Sequence, residues 1–255
     1  MNAGPATWGQ FRSHPVGAAL EDLWHTTHDA AERTASGYML ERLADQQVTL
    51  EAAAAAVAGL ASAQDRLSPE GGRLLSHLTQ WRVNRDLAVV AAEVGVILGQ
   101  QVAVSRSETA EEDSALAALE VLVSGTPDIL ADARMLSRTV DSAYLSGVVE
   151  TIETGVAPLA DCVREDFDEA GDFIEAGLPW VLDPLSALHT CALMLPTAVA
   201  AEAAGDRRAA TVVRRWAYAR VRTDTAEGLS ASHLAKTRLL AAGDPIPVVE
   251  PGHTT

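Results

Sequence analysis

Apolar side chains recur at helical spacing near the start of the chain, and this periodicity constrains the fold most strongly. The residues that share one face are Leu20, Leu23, Trp24, Thr27, Ala31 and Ala35. Steps of three and four residues place them on one side of an amphipathic α-helix. Alanine dominates the composition and aromatic residues make up only 4% of the chain, which favours closely packed helices over β-sheets.

One histidine lies on that apolar face. His28 comes one turn after Trp24 and three residues before Ala31, whereas His25 falls on the polar flank. Burial of an imidazole is costly unless the ring has a hydrogen-bond partner or a ligand. His28 is therefore predicted to point inward, either as a hydrogen-bonded core histidine or as a ligand. His25 is predicted to face water.

The rest of the chain is predicted to be helical, without a strong strand candidate. The predicted helices cover residues 16–45, 50–65, 69–100, 114–123, 127–167, 185–204 and 206–231. Thr49 is predicted to cap the second helix, and Ser68 followed by Pro69 is predicted to begin the third. The fold class is therefore all-α, a single-domain helical bundle over residues 1–240. The proline-containing residues 241–255 are predicted to form a disordered tail.

The charge balance limits the classes of partner. The formal charge is −16, from 35 acidic and 19 basic residues, whereas nucleic acid and anionic membranes attract basic surfaces. We expect no apolar run to reach the length of a membrane-spanning helix, and residues 1–15 lack the features of a signal peptide. Cys162 and Cys191 are predicted to be free thiols in a reducing compartment. We therefore expect a cytoplasmic protein that binds neither nucleic acid nor membranes.

Four short segments resemble heme oxygenases, in order, over about residues 18–150. The segments are His28-Asp29-Ala30-Ala31-Glu32 with Gly37-Tyr38-Met39-Leu40, Gln47-Val48-Thr49-Leu50-Glu51, Arg85-Asp86-Leu87-Ala88, and Leu145-Ser146-Gly147. In that family the first helix carries the histidine that ligates the heme iron. A glycine-rich distal helix lies on the opposite side of the porphyrin.

The resemblance implies a heme-oxygenase-like fold and an oxygenase that opens heme to biliverdin, with release of iron and carbon monoxide. It implies that His28 is the axial ligand and that Glu32 supports the ring. Gly147 would let the distal helix approach the heme, and Asp141 or Tyr144 would supply the distal hydrogen bond. Electrons would come from a reductase or a ferredoxin.

The distal segment departs from the family's pattern. Ala143 and Val148 stand where the family has glycines, and Tyr144 stands where it has an aspartate that organises distal waters. Because glycine lets a backbone approach a ligand closely, these side chains predict a more crowded distal side. The chain thus matches the proximal half of a heme site more fully than the half that carries the oxygen chemistry.

Arginines cluster late in the chain. They are Arg207, Arg208, Arg214, Arg215, Arg220 and Arg222. The resemblance calls for basic residues that hold the heme propionates, but Glu21 stands close to one such position. Arg214 and Arg215 are our candidates for bidentate pairing with a dianionic ligand. The alternative is a solvated face on which the arginines pair with local acidic residues.

The first helix also permits a different chemistry. Its residues at positions i, i+4, i+7 and i+11 are Glu21, His25, His28 and Glu32. Carboxylates and imidazoles at such spacing suit iron or manganese. A non-heme iron oxygenase on the same fold is therefore one alternative function. A catalytically inactive relative that only binds a ligand or acts as a scaffold is the other.

A dinuclear metal site would need further ligands from facing helices. Glu93 is the best candidate, because it lies in an apolar run where a carboxylate must be paired, protonated or metal-bound. The simpler interpretation is an ion pair between Glu93 and an arginine such as Arg134 or Arg138.

Overall fold

The protein is all-α in the part of the chain that its computed structural model describes, namely residues 17–33, 36–99, 102, 108–169, 174–221 and 239–247. Side chains at 108–112, 165–169 and 174–180 are outside this description. The helices are α1 (Gly17–Arg33), α2 (Gly37–Gln64), α3 (Pro69–Leu98), α4 (Glu108–Arg138), α5 (Ser146–Glu169), α6 (Ile174–Ala203), α7 (Arg208–Trp216) and a π-helical segment (Ala217–Val221). The predicted fold class, an all-α single-domain helical bundle, is confirmed.

The core divides into two clusters of buried side chains. The larger cluster includes Leu122 of α4, Val148 of α5 and Leu188 of α6. The smaller cluster holds Leu20 and Trp24 of α1, with neighbours from α2 and α3. The start of α5 thus packs in the larger cluster. The helix that carries His28 contributes to both clusters, with Leu20, Leu23 and Trp24 in the smaller one and Ala30 and Ala31 in the larger one.

The first two predicted helices have different bounds in the structure. α1 ends at Arg33, and the Ser36 side chain accepts a hydrogen bond from the Met39 backbone as the N-cap of α2. The prediction that Thr49 begins a new helix was wrong, because α2 continues through it. Its hydroxyl donates to the Asp45 carbonyl at 2.9 Å, within the helix. A threonine can satisfy its hydroxyl in this way without ending a helix.

The start of α3 agrees with its sequence signal. The Ser68 side chain accepts a hydrogen bond from the Gly71 backbone at 3.1 Å, and Pro69 is the first helical residue. The serine satisfies a donor that the helix leaves unpaired, while proline has no donor to satisfy. The predicted capping of this helix is confirmed.

The turn predicted near Pro127 is absent, and α4 continues through it. A Cβ on the neighbouring Gly125 would lie 2.9 Å from both the Glu70 carbonyl oxygen and the Leu74 Cβ. Glycine here lets α4 lie directly against α3. We attribute the unbroken helix to this packing, which offsets the cost of an interior proline. The break comes instead at residues 139–145, between α4 and α5.

Residues 239–247 pack against the bundle. Leu240 and Ala241 are fully buried, and Ile246 is 3% exposed. The Arg207 backbone donates to the Ile246 carbonyl at 2.7 Å, and the Ile246 backbone donates to the Asp206 carboxylate at 3.0 Å. The expectation of a disordered tail over 241–255 is therefore wrong for 241–247. Residues 248–255 lie outside the described residues, as do residues 1–15 and Arg222.

Two stretches are long and apolar enough to cross a membrane by length and composition alone. They are Asp113–Arg138 in α4 and Val181–Ala203 in α6, and the apolar windows within them are 44% and 61% buried in the bundle. The sequence expectation that no run reaches this length was wrong. Core helices of a bundle have the same composition, so the cytoplasmic location and the absence of a membrane partner stay predictions.

Candidate functional site

His28 lies on the inner side of α1. Its side chain is 12% exposed, whereas His25 is exposed. The ring stacks on Trp24 with centroids 5.3 Å apart and an interplanar angle of 6°. Its Nδ1 is buried and has no hydrogen-bond partner in the part of the chain that the structure describes, and its Nε2 lies 3.7 Å from the Glu32 carboxylate. The predicted orientations of both histidines are confirmed, while their roles stay predictions.

The segment 239–247 covers this ring. Gly243 has a φ of +71°, in the left-handed region that favours glycine. A Cβ at this position would lie 2.8 Å from Cζ2 of Trp24 and 3.7 Å from Nδ1 of His28. Glycine therefore lets the backbone close over both rings. A ligand that approaches Nδ1 from this side would displace the segment.

The predicted distal residues have other neighbours. A Cβ on Gly147 would lie 2.8 Å from the Tyr218 hydroxyl oxygen. The Tyr144 hydroxyl lies 3.1 Å from the Thr211 hydroxyl on α7, and Asp141 is exposed. These contacts join the start of α5 to α7 and the π-helical segment, whereas α1 packs against α2 and α3. The described contacts do not bring the distal set against His28.

The two arginines expected to hold propionates are engaged within the bundle. Arg215 donates to the carboxylates of Glu41 at 2.8 Å and Asp45 at 2.7 Å. The guanidinium carbon of Arg214 lies 4.4 Å from the ring centroid of Tyr144 and 5.7 Å from that of Tyr218. The ion pairs of Arg215 agree with the alternative interpretation, in which the arginines of residues 207–222 pair with local acidic residues.

The residues considered for non-heme iron do not assemble in the described part of the chain. Glu93 is 39% exposed and pairs with Arg42, and not with Arg134 or Arg138. Those two arginines instead lie 3.6 and 3.3 Å from the Glu153 carboxylate. Among the described residues, no group of three or more His, Cys, Asp or Glu side chains is placed to hold a metal ion. Glu21 and His25 are therefore not part of such a group in the described part of the chain.

Sequence reasoning did not find the buried pair of His189 and Asp132, which the more exposed Arg66 joins from the surface. His189 Nε2 lies 3.0 Å from the Asp132 carboxylate, and Arg66 donates to both carboxylate oxygens at 2.7 and 2.9 Å. Burial alone would raise the pKa of Asp132, but the hydrogen bonds to His189 and Arg66 lower it to about 2. The group joins α6 and the α2–α3 turn to α4. A carboxylate in the apolar part of α4 was the only signal for it in the sequence.

Heme, the group that the resemblance implies, fits one half of the predicted site. His28 offers a buried ring nitrogen that no described residue hydrogen-bonds, and Glu32 lies beside the ring. On the other half, Tyr218 occupies the space beside Gly147, and Arg215 is engaged by carboxylates. The residues fit an axial ligand, but they do not fit a heme face built on α5.

Comparisons of the chain with family models, curated proteins and solved structures find no match.

Proposed function

We propose that the protein binds heme through His28 and does not open the porphyrin ring. The observation that carries the proposal is the buried Nδ1 of His28, which has no hydrogen-bond partner among the described residues. A buried polar atom without a partner costs about 1–3 kcal/mol. Imidazole nitrogens are common ligands of iron, so coordination would offset that cost. When bound, heme would supply the iron that the imidazole ligates.

The surroundings of His28 would hold the imidazole in one orientation. Trp24 stacks on the ring, and Glu32 lies 3.7 Å from its Nε2. A carboxylate beside a ligating histidine fixes the ring and raises its basicity. The segment around Gly243 would have to move away from the ring when the ligand enters.

The crowded distal side supports binding without ring opening. Tyr218 lies against Gly147, while Leu145 and Val148 are fully buried in the larger core cluster. Close approach of a backbone to a ligand requires the space that glycines leave. These side chains leave no such space on α5, so we derive no oxygen chemistry from them.

Titration of the full chain with hemin tests the assignment of His28. We expect a Soret band that saturates at one heme per chain. In His28→Ala the dissociation constant should rise by about tenfold or more, which corresponds to the loss of roughly 1.4 kcal/mol or more of binding free energy. The matched control is His25→Ala, which removes an exposed histidine from the same helix and should bind heme like the unchanged chain.

Two outcomes of this titration would count against the proposal. One is the absence of a Soret band. The other is a band with equal affinity in both histidine variants. If elemental analysis then finds stoichiometric iron in protein without heme, the non-heme iron alternative gains support.

A further inference from the structure

Arg82 of α3 is the buried centre of a second polar cluster. Its side chain is 1% exposed, and its guanidinium carbon lies 4.9 Å from the ring centroid of Trp216. Nε donates to the Asp86 carboxylate at 2.9 Å, and Nη1 donates to Asp183 of α6. Nη2 is also buried, but it has no hydrogen-bond partner among the residues that the structure describes. A donor group of a buried cation is thus left without an acceptor, which is costly.

Two more arginines lie beside it. Nη1 of Arg85 is buried without a hydrogen bond to any described residue, 3.5 Å from the Asp183 carboxylate. Arg220 comes from the π-helical segment, far from α3 in sequence. Its guanidinium carbon lies 5.7 Å from the ring centroid of Trp216. Arg220 makes no hydrogen bond or ion pair with the described residues, although its charge acts on Asp86.

Among the described residues, the cluster carries more positive than negative charge. Three guanidinium groups there face two carboxylates, Asp86 and Asp183. Burial raises the pKa of Asp86, and the charges of Arg82 and Arg220 only partly oppose this effect. That carboxyl is therefore a weaker neutralising group than an exposed aspartate. Arg82 and Asp86 are buried, whereas Arg85 and Asp183 are 36% and 33% exposed. An excess of positive charge at such a partly buried cluster favours an anionic ligand.

The backbone that carries Arg220 is also unusual. α7 ends at Trp216 and continues directly as the π-helical segment Ala217–Val221. Such wide turns are rare in proteins and occur often at functional sites. This backbone feature is independent of the unpaired nitrogen atoms, and both occur at the same cluster.

We propose that Arg82, Arg85 and Arg220 form a binding site for a small oxyanion, a ligand that carries a carboxylate or phosphate group. A guanidinium group presents only donors, in a planar arrangement that matches two oxygens of such a group. The unpaired Nη2 of Arg82 and Nη1 of Arg85 would donate to the anion. Arg220 would supply the charge that the aspartates leave unbalanced. The site does not depend on heme binding at His28.

Isothermal titration calorimetry of the full chain tests this site with two probes, inorganic phosphate and malonate. The ionic strength is held constant with chloride. We expect saturable binding of at least one probe at one site per chain, and the probe that binds identifies the ligand class. In Arg220→Gln the dissociation constant should rise on the order of tenfold, because a charge-assisted pair is lost. This variant breaks no ion pair to a described residue, so the fold should persist, which circular dichroism checks.

The matched control is Arg138→Gln, which removes an arginine whose side chain is 72% exposed. Its affinity for the anion should equal that of the unchanged chain. Saturable binding of neither probe would overturn the proposal. Equal affinity in Arg220→Gln, or weak unsaturable heats in every variant, would indicate an adventitious ion only and would also overturn it.

Discussion

Arg208 and Arg215 show how single charged residues are used in this acidic bundle. Arg208 donates to Glu51 at 2.6 Å, and the side chains of both residues are only 9% exposed. Burial alone would lower the pKa of Arg208, but the neighbouring carboxylates raise it overall. Arg215 pairs with acidic residues of the same helix, α2. The ion pairs of these two arginines join α7 to α2. They also provide the cations with partners, since a buried cation without one would destabilise the fold.

The buried carboxylate of Asp132 predicts a pH dependence of stability. Its pKa in the folded protein is about 2, from an ordinary value of 3.8. A lowered pKa stabilises the folded state above the unfolded-state pKa, and this contribution is lost as pH falls from about 4 to about 2. Its size is about 2 kcal/mol.

Thermal unfolding of the unchanged chain and of Asp132→Asn measures this effect. Asp132→Asn should be the less stable protein at pH 7, because Arg66 and His189 lose a charged partner. The difference in melting temperature should shrink as pH falls through that window. A difference that stays constant down to pH 2 would show that the carboxylate charge is not the cause.

At the scale of helices, local signals explain some boundaries and tertiary packing explains the others. The serine and proline at Ser68 and Pro69 act within one turn, so the sequence was sufficient to predict the start of α3. Thr49 and Pro127 carry equally local signals, yet α2 and α4 continue through them. Contacts with neighbouring helices decide those positions, and such contacts are not visible in a local pattern.

Gly125 provides a test of the packing between α4 and α3. In Gly125→Ala the new Cβ would lie 2.9 Å from the Glu70 carbonyl oxygen, and a backbone atom cannot shift cheaply. We expect a loss of about 1–3 kcal/mol in the free energy of unfolding, measured by denaturant titration. The control is Gly37→Ala at the start of α2, where a Cβ meets nothing within 4 Å. Equal stability of the two variants would refute this account of the contact.

At the scale of the whole molecule, the sequence was sufficient to predict the fold class and the inward face of α1. Both follow from a helical period that acts over a few residues. The partners of that face were not predictable. Gly243 reaches Trp24 and His28 from the far end of the chain, and Tyr218 reaches Gly147 from another helix. Such contacts depend on how helices are arranged in three dimensions.

In the candidate site, too, the local pattern was predictable and the contacts between distant parts of the chain were not. The face of α1 indicated His28, whereas the hydrogen bonds of Arg66, Asp132 and His189 connect three separate parts of the chain. For Glu93 the sequence pattern was misleading. The apolar run around it suggested a buried carboxylate, but the side chain is 39% exposed. Val89 and Val96 on the same helix are 44% and 69% exposed, so that side of α3 faces outward and the carboxylate pairs with Arg42 at the surface.

The central claim is heme binding without ring opening, and one absorption experiment tests it most directly. The full chain is mixed with one equivalent of hemin and is then given ascorbate in air, while the visible spectrum is followed. We predict that a Soret band forms and persists, with no absorption from verdoheme or biliverdin. Failure of the band to form would contradict binding, and conversion of the band to biliverdin would contradict the inert distal side.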